Sequence, residues 1–249
     1  MLMKSYNERI EEFRNIVLNS PSTVFFGGAG VSTESGIPDF RSKNGLYNQH
    51  DVNFDKFEPE YLLSHTCLEK NPKIFYEFYR QKLDVRSFEP NDCHKILAKM
   101  EEKNLLKCVI TQNIDGLHQK AGSKNVLEIH GTTSRVYCNK CGKEFDTDYI
   151  FNSKEDIPRC ECGGLIRPDV TLYEENLPDA YNKAYEVVQN AAVLIVGGTS
   201  LKVFPASFLV SYFTGSHLII INNQVTDYDD YADLIFHENL GQVFRDLNI

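Results

Sequence analysis

Hydrophobic residues along the chain form two alternating patterns, short continuous apolar runs and longer stretches with helical spacing. The helical spacing predicts helices at 5–19, 58–83, 94–103 and 180–190. The continuous runs predict buried strands at 24–26, 105–111, 126–129, 170–173, 192–196 and 218–221. Because apolar strands that alternate with helices are typical of a parallel sheet covered on both faces, the pattern predicts an α/β fold.

A glycine-rich turn follows the first predicted strand. Glycine at Gly28 and Gly30 would let the backbone approach a pyrophosphate, whose charge the following N–H groups can meet. Thr33 stands where the usual dinucleotide fingerprint has its third glycine, so this turn alone fits a tight strand-to-helix turn equally well. Segment 35–53 is rich in Gly, Pro, Ser and Asn and predicts a long loop, which in a compact domain usually carries function.

Composition and charge exclude several classes of protein. The 249 residues are 42% hydrophobic and 24% charged, as in an ordinary globular domain. A net charge of −9 disfavours general nucleic-acid binding and favours basic partners such as lysine-rich tails. No apolar run is long enough to cross a bilayer, and residues 1–12 lack the apolar segment of a secretory signal. We therefore predict a cytoplasmic monomer that binds neither nucleic acid nor membranes.

Four of the seven cysteines lie in segment 133–167, whose charged, apolar-poor composition indicates an insertion into the α/β fold. Cys138 and Cys141 form a C-x2-C pair, and Cys160 and Cys162 follow it. Four thiolates suit tetrahedral zinc, and their clustering in an odd cysteine count argues against a disulfide framework and for a reducing compartment. We predict one structural Zn²⁺ per chain.

Longer sequence blocks extend the glycine turn into a recognisable signature. They read GAGVSTESGIPDFRS at 28–42, TQNIDGLH at 111–118, HG at 130–131 and GTSLKVFP at 198–205. In this order, and with Asn222, the blocks resemble the sirtuins, the NAD-dependent protein lysine deacylases. The resemblance implies a large Rossmann-like NAD-binding domain with a small zinc-binding domain inserted in it. Its parts would be 1–38, 93–132 and 168–249 for the large domain, 39–92 for the cofactor loop and a helical part, and 133–167 for the zinc module.

The resemblance also implies a reaction. In sirtuins the acyl-lysine oxygen displaces nicotinamide from NAD, and the products are free lysine, nicotinamide and O-acyl-ADP-ribose. His130, at a strand end, would be the catalytic base, and histidine suits that task because its pKa lies near the operating pH. Asn113 would order the ribose and a water molecule. His118, in the same block as Asn113, is expected to have a packing role.

Ligand-contacting residues follow from the same resemblance. Ile114 and Asp115 would hold the nicotinamide carboxamide, and Phe40 would cover it. The NAD contacts comprise Ala29, Thr33, Phe40, Arg41, Gln112, Ile114, Asp115, Thr199, Ser200 and Asn222. Acyl-lysine-containing proteins or peptides would enter as an added strand between 171–175 and 201–203. The peptide contacts comprise Thr171, Leu172, Tyr173 and Val203.

The chain departs from the family's usual pattern in three places. One residue, Glu161, separates the second cysteine pair where the family usually has two, which gives a tighter bite on zinc. Tyr173 and Glu174 stand where the family commonly has phenylalanine and glycine, and Glu174 would either favour basic residues beside the lysine or be solvated. Lys82 occupies the position at which succinyl-removing members carry arginine, so uncharged acyl groups are favoured.

Three alternatives to deacylation stay open at this point. ADP-ribosyl transfer to protein would release nicotinamide without O-acyl-ADP-ribose. A silent NAD or ADP-ribose binding module would not need His130, Asn113 and Asp115 together, since a pure binder needs no base. A hydride-transferring dehydrogenase would need no QNID block and would carry a fuller glycine fingerprint.

Overall fold

A six-stranded parallel sheet organises the larger part of the protein, in a computed structural model that describes residues 4–49 and 51–249. The predicted domain ranges also include residues 1–3 and 50, which lie outside the described residues. Its strands are β1 (Thr23–Gly27), β2 (Cys108–Thr111), β3 (Val126–Glu128), β7 (Val193–Gly197), β8 (His217–Ile221) and β9 (Leu234–Phe236). They lie in the order β3-β2-β1-β7-β8-β9, and every neighbouring pair is parallel. This architecture confirms the predicted α/β fold.

Helices cover both faces of this sheet. They are α1 (Tyr6–Asn19), α5 (Asp92–Glu102), α6 (Leu117–Lys120), α8 (Asp179–Gln189), α9 (Phe208–Ser211) and α10 (Leu240–Asp246). A capping box starts α1: the Ser5 side chain accepts the Glu8 N–H, and the Glu8 carboxylate accepts the Ser5 N–H. One core contains Phe13 and Phe25, and the core on the other face contains Phe26. Within the described ranges, no helix has the length and apolar character needed to span a bilayer.

A smaller lobe has its own core. It comprises α2 (Pro59–Leu62), α3 (His65–Lys70), α4 (Pro72–Lys82), α7 (Asp148–Phe151), and an antiparallel sheet of β5 (Glu144–Phe145), β4 (Gly131–Cys138) and β6 (Ile166–Val170). Buried aromatic residues of α4, among them Phe75 and Tyr76, pack in one cluster with Ile166 and Leu172. The predicted helix at 58–83 is therefore three helices, since Ser64 caps α3 and Pro72 begins α4.

The predicted strand at 170–173 is wrong as a member of the parallel sheet. Val170 ends β6, which pairs with β4. Residues 171–173 continue beyond β6, and Tyr173 forms an isolated parallel bridge with Ser64 of the small lobe. The run is apolar because Leu172 is buried in the small-lobe core. Burial in the small-lobe core and burial in a sheet leave the same hydrophobic signal in a sequence.

Candidate active site

The motif blocks meet at the carboxyl edge of the large sheet. The strand register aligns Gly27 with Thr111 and with Gly197, and Gly197 with Ile221. The glycine turn, the QNID block, the GTS block and Asn222 therefore leave neighbouring strands at one level. In open parallel sheets, this edge is where ligands bind.

Close packing of two turns explains the glycines after β1. The Gly30 N–H donates to the Gly198 carbonyl at 2.8 Å, and a Cβ on Gly30 would lie 2.8 Å from the Gly198 Cα. A Cβ on Gly28 would lie 2.7 Å from the Thr199 Cβ. Only glycine fits at both places, because any side chain there would meet the Gly198–Thr199 turn. Ala29 lies between them in the turn.

Ser32 connects the glycine segment to the QNID block. Its hydroxyl donates to Asp115 Oδ2 at 2.6 Å and accepts from Asn113 Nδ2 at 3.0 Å. Ser32 is 1% exposed, so this hydroxyl rigidly sets both side chains. Our sequence analysis missed Ser32; a small hydroxyl residue inside an otherwise glycine-rich signature was the available signal.

Asp115 lies in a desolvated environment. Burial raises the pKa of its carboxyl group, although hydrogen bonds from Ser32 and from the Leu117 N–H act in the opposite direction. The Leu117 N–H, the first of α6, donates to Asp115 Oδ1 at 2.9 Å, and Gly116 is the N-cap of this helix. The preceding Ile114 carbonyl accepts both the N–H and the hydroxyl of Thr133, at 2.8 and 2.9 Å. The block is thus held on both sides.

His130 follows β3 and is fixed in one tautomer. Its Nδ1 lies 3.0 Å from the Gln112 carbonyl oxygen. Because a carbonyl only accepts hydrogen bonds, Nδ1 carries the proton and Nε2 is left with a free lone pair. Burial lowers the pKa of His130, the Arg41 charge lowers it further, and the Gln112 bond partly offsets both. The imidazole is therefore neutral near pH 7 and able to accept a proton.

The remaining predicted NAD contacts spread along the same edge. Gln112 Nε2 donates to Thr199 Oγ1 at 3.1 Å, so these two residues hold each other. The exposed Thr33 donates its hydroxyl to the Gly30 carbonyl. Ser200 is also exposed, and the Asn222 amide donates to the Gln224 carbonyl at 2.7 Å, one strand further out.

The cofactor loop lies against the small lobe. Phe40 packs edge-on against Tyr47, with ring centroids 5.3 Å apart, and both contact the small-lobe core. Arg41 Nη2 donates to the Tyr173 hydroxyl at 3.0 Å, and its guanidinium lies 5.5 Å from the centroid of the Tyr47 ring. Arg41, a predicted NAD contact, is therefore hydrogen-bonded to Tyr173, a predicted peptide contact.

The predicted peptide segment 171–173 uses its N–H groups internally. The Thr171 N–H donates to the His130 carbonyl at 2.9 Å, and the Leu172 N–H donates to Glu175 Oε2 at 2.9 Å. The Tyr173 N–H donates to the Leu63 carbonyl at 3.0 Å. Val203, on the opposite segment, accepts from the Ser207 N–H at 2.9 Å. The Leu201 N–H of that segment donates to Thr199 Oγ1 at 3.2 Å.

Glu174 has a third arrangement that sequence reasoning did not weigh. Its carboxylate accepts the N–H and the hydroxyl of Thr66 in the first turn of α3, at 2.9 and 2.7 Å. Its φ of 76° is in the left-handed region, which agrees with glycine being usual at this position. The side chain is therefore bound to α3, beside the predicted peptide segment.

The four cysteines of the inserted segment converge. Their sulfur atoms all lie within 4.8 Å of one another, with Cys138 and Cys162 at 3.4 Å and Cys141 and Cys160 at 3.7 Å. Tetrahedral zinc thiolate geometry needs sulfur separations of about 3.8 Å. The donor set and spacing fit a structural zinc ion.

A tight turn accommodates the shortened cysteine pair. The Gly163 N–H donates to the Cys160 carbonyl at 2.8 Å, and Gly163 has a φ of 83°. Gly164 passes so close to the cluster that a Cβ there would lie 2.6 Å from Cys138 Sγ. These two glycines let the chain turn tightly after Cys162 and pass close to the sulfur cluster.

His118 packs in the core behind the QNID block, as predicted. It is 1% exposed, and its ring centroid lies 4.7 Å from that of the buried His94. Both His118 nitrogens and His94 Nε2 lack hydrogen-bond partners within the described residues. Burial lowers the pKa of His94 to about 4 and that of His118 to about 3.

Acid is therefore expected to destabilise the protein through this pair. The folded pKa values lie below 6.5, the ordinary pKa of histidine in an unfolded chain, so the unfolded chain binds more protons as pH falls. The free energy of unfolding should have its full value above about pH 6.5 and should decrease towards pH 4. The decrease due to His94 alone should be roughly 3 kcal/mol. Denaturant melts between pH 7.5 and 4 would measure this.

A His118→Gln variant provides the comparison for that pH dependence. Its stability should fall less steeply over the same pH range, because one titrating group is removed. Equal slopes in the wild type and the variant would contradict the assignment.

Comparisons with known proteins agree with this geometry. The Sir2 family profile matches residues 28–205. An NAD-dependent protein deacetylase of Clostridium acetobutylicum is 52% identical over 240 residues, which cover 96% of this chain and 97% of the relative. A solved Sir2 variant with deacetylated p53 peptide and 3′-O-acetyl ADP ribose has a TM-score of 0.88 at 38% identity, covering 96% of both chains. A Sir2 structure with p53 peptide and NAD⁺ has a TM-score of 0.84 at 38% identity, covering 98% of this chain and 96% of that chain.

Proposed function

We infer that this chain, which belongs to the Sir2 family and is an NAD-dependent protein deacetylase, uses His130 as its general base. One observation carries the assignment: the Gln112 carbonyl holds the Nδ1 proton of His130, so Nε2 is free to accept a proton. The lowered pKa keeps this imidazole neutral at pH 7.

The residues around the site fit NAD. The glycine turn at Gly28 and Gly30 follows β1 at the carboxyl edge of the sheet, where a pyrophosphate is proposed to bind. When bound, NAD supplies an electrophilic ribose carbon to the amide oxygen of an acyl-lysine. We propose that Asp115 binds the nicotinamide amide and that Asn113, oriented by Ser32, orders the ribose and a water molecule.

The other NAD contacts are proposed at the positions given in the sequence analysis. Ala29 and Thr33 would line the cofactor at the glycine turn, with Phe40 over its nicotinamide end and Arg41 at a phosphate or ribose oxygen. Ser200 and Asn222 extend along the strand ends. Two bonds support Gln112 and Thr199 as a prearranged pair, the Gln112 N–H to the Gly27 carbonyl and the amide to the Thr199 hydroxyl.

The peptide groove is proposed between 171–175 and 201–203. Acyl-lysine peptides are the partners that Sir2 structures with acetylated peptide support. Uncharged acyl groups are proposed because the Tyr-x-x-Lys pair of α4 is already occupied: Tyr79 is 1% exposed, and Lys82 pairs with Asp51 at 3.2 Å.

Cellular and domain assignments complete the proposal. We propose the domain limits given above, supported by the separate cores of the two lobes. A cytoplasmic location is supported by the thiolate zinc site, which needs reduced cysteines. The monomer, and the lack of nucleic-acid or membrane partners, rest on the sequence prediction alone.

Mass spectrometry of products tests the function directly. The protein would be incubated with NAD and matched acetyl-, propionyl- and succinyl-lysine peptides. We expect nicotinamide, free lysine and O-acyl-ADP-ribose from the acetyl and propionyl peptides, and at least about tenfold less from the succinyl peptide.

Other outcomes would select the alternatives. Nicotinamide together with ADP-ribosylated protein would indicate a transferase, and no nicotinamide from any peptide would indicate a binding module. A Lys82→Arg variant is the control for acyl preference. Because position 82 pairs with Asp51, the succinyl yield should not change.

A further inference from the structure

The Tyr173 hydroxyl joins the peptide segment to the cofactor loop. It lies 3.0 Å from Arg41 Nη2 and 3.2 Å from the Tyr47 hydroxyl. Arg41 has only donors, so the Tyr173 hydroxyl accepts from Arg41, and either tyrosine can donate in the contact between the two hydroxyls. The contacts therefore link Arg41, Tyr173 and Tyr47.

Arg41 is held from two sides by this arrangement. The Tyr173 hydroxyl accepts a hydrogen bond from Arg41 Nη2. The Arg41 guanidinium carbon lies over the Tyr47 ring, 5.5 Å from its centroid. A hydrogen bond from a charged group is about twice as strong as a neutral one and strengthens further when water is excluded. Any ligand that covers Tyr173 therefore also acts on Arg41.

The backbone of the peptide segment is anchored without that hydroxyl. The Tyr173 N–H donates to the Leu63 carbonyl, and the Tyr173 carbonyl accepts the His65 N–H, both at 3.0 Å. Two residues earlier, the Thr171 N–H donates to the carbonyl of His130 at 2.9 Å. Removing only the Tyr173 hydroxyl would leave the segment and His130 in place and detach Arg41.

We propose that the Tyr173 hydroxyl couples occupancy of the peptide groove to the position of Arg41 at the NAD site. This inference rests on the proposed function. A peptide lying along 171–173 shields the hydroxyl from water, which strengthens its bond to Arg41 and holds the cofactor loop. The loop is then already ordered when NAD binds, so each ligand raises the affinity for the other by the same factor. Tyr173 is a positioning residue in this scheme.

Calorimetric titration on the full chain tests the coupling. The dissociation constant of carba-NAD, which the enzyme cannot cleave, would be measured with and without a saturating acetyl-lysine peptide. We expect the peptide to tighten carba-NAD binding by about 5- to 20-fold in the wild type. Tyr173→Phe should reduce this factor to about 2 or less, a larger change than in either isolated dissociation constant.

Two further variants separate coupling from general damage. Tyr76 donates its hydroxyl to the Ile166 carbonyl at 2.8 Å, within the small-lobe core and outside the Arg41 chain. Tyr76→Phe should therefore keep the wild-type coupling factor. Tyr47→Phe leaves the bond from Arg41 to Tyr173 intact and should give an intermediate factor.

The outcomes are distinguishable from a failure of the proposed function. The inference is overturned if Tyr173→Phe keeps the wild-type coupling factor, or if the wild type shows no coupling. In either case, deacetylation by the wild type would still support the proposed function. An equal loss of coupling in Tyr76→Phe also overturns it, since the effect would then be structural. If the wild type binds neither ligand alone, the proposed function itself is wrong.

Discussion

Replacing His130 by alanine is expected to lower NAD-dependent deacetylation by about 10²- to 10⁴-fold. The variant loses an imidazole whose Nε2 is free at the carboxyl edge, together with its bond to the Gln112 carbonyl, while Gly28, Gly30 and Asp115 keep their contacts. NAD binding should therefore stay within a few-fold of wild type. Single-turnover deacetylation together with carba-NAD titration would measure both quantities.

His217→Ala is the matched control. This histidine begins β8 at the amino edge of the sheet, opposite to the ligand edge, and should be dispensable for activity. Near-wild-type turnover in His130→Ala would remove the general-base assignment. Because the pKa of His130 is lowered and the base form is required, activity should be retained down to a pH below 6.5 and lost as pH falls further.

Replacing Cys138 by serine is expected to abolish zinc binding and unfold the small-lobe sheet. Thiolate ligation of structural zinc provides about 10–16 kcal/mol in small zinc domains, which is more than a typical domain's whole stability. Cys138 ends β4, whose partner β6 begins at Ile166, so the loss would spread along that pair. Elemental analysis should find about one zinc per chain in the wild type and almost none in the variant.

Limited proteolysis would locate the damage. Cleavage should appear first within 138–166, and Cys67→Ala, which removes a buried thiol outside the cluster, should retain zinc. A folded, active protein free of zinc would contradict the structural role. A zinc-loaded Cys138→Ser variant with normal stability would instead show that three thiolates suffice.

Elements with strong local signals were predicted well. The Val24–Phe26 run lies in β1, and the boundary of α1 is set by a capping box that can be read from Ser5 and Glu8. Strand β9 and helix α10 were not predicted. A strand of three residues is too short for its apolar period to stand out from a buried turn or helix.

The sequence by itself determined the parallel α/β architecture, the four-cysteine cluster and the set of candidate residues at the carboxyl edge. These depend on apolar periodicity, on ligand spacing and on motif blocks, all of which are local along the chain. The bond from Ser32 to Asp115 spans 83 residues, and the bond from Arg41 to Tyr173 spans 132.

Only the tertiary structure decided which side chains meet in such pairs. Partner choice depends on strand register and on how the small lobe packs against the sheet, and neither leaves a periodic trace in the sequence. The placement of 171–173 against the small lobe has the same cause, because burial of Leu172 in the small-lobe core leaves the same apolar signal as burial in a strand. Long-range packing therefore set the tautomer of His130, the position of Arg41 and the placement of 171–173.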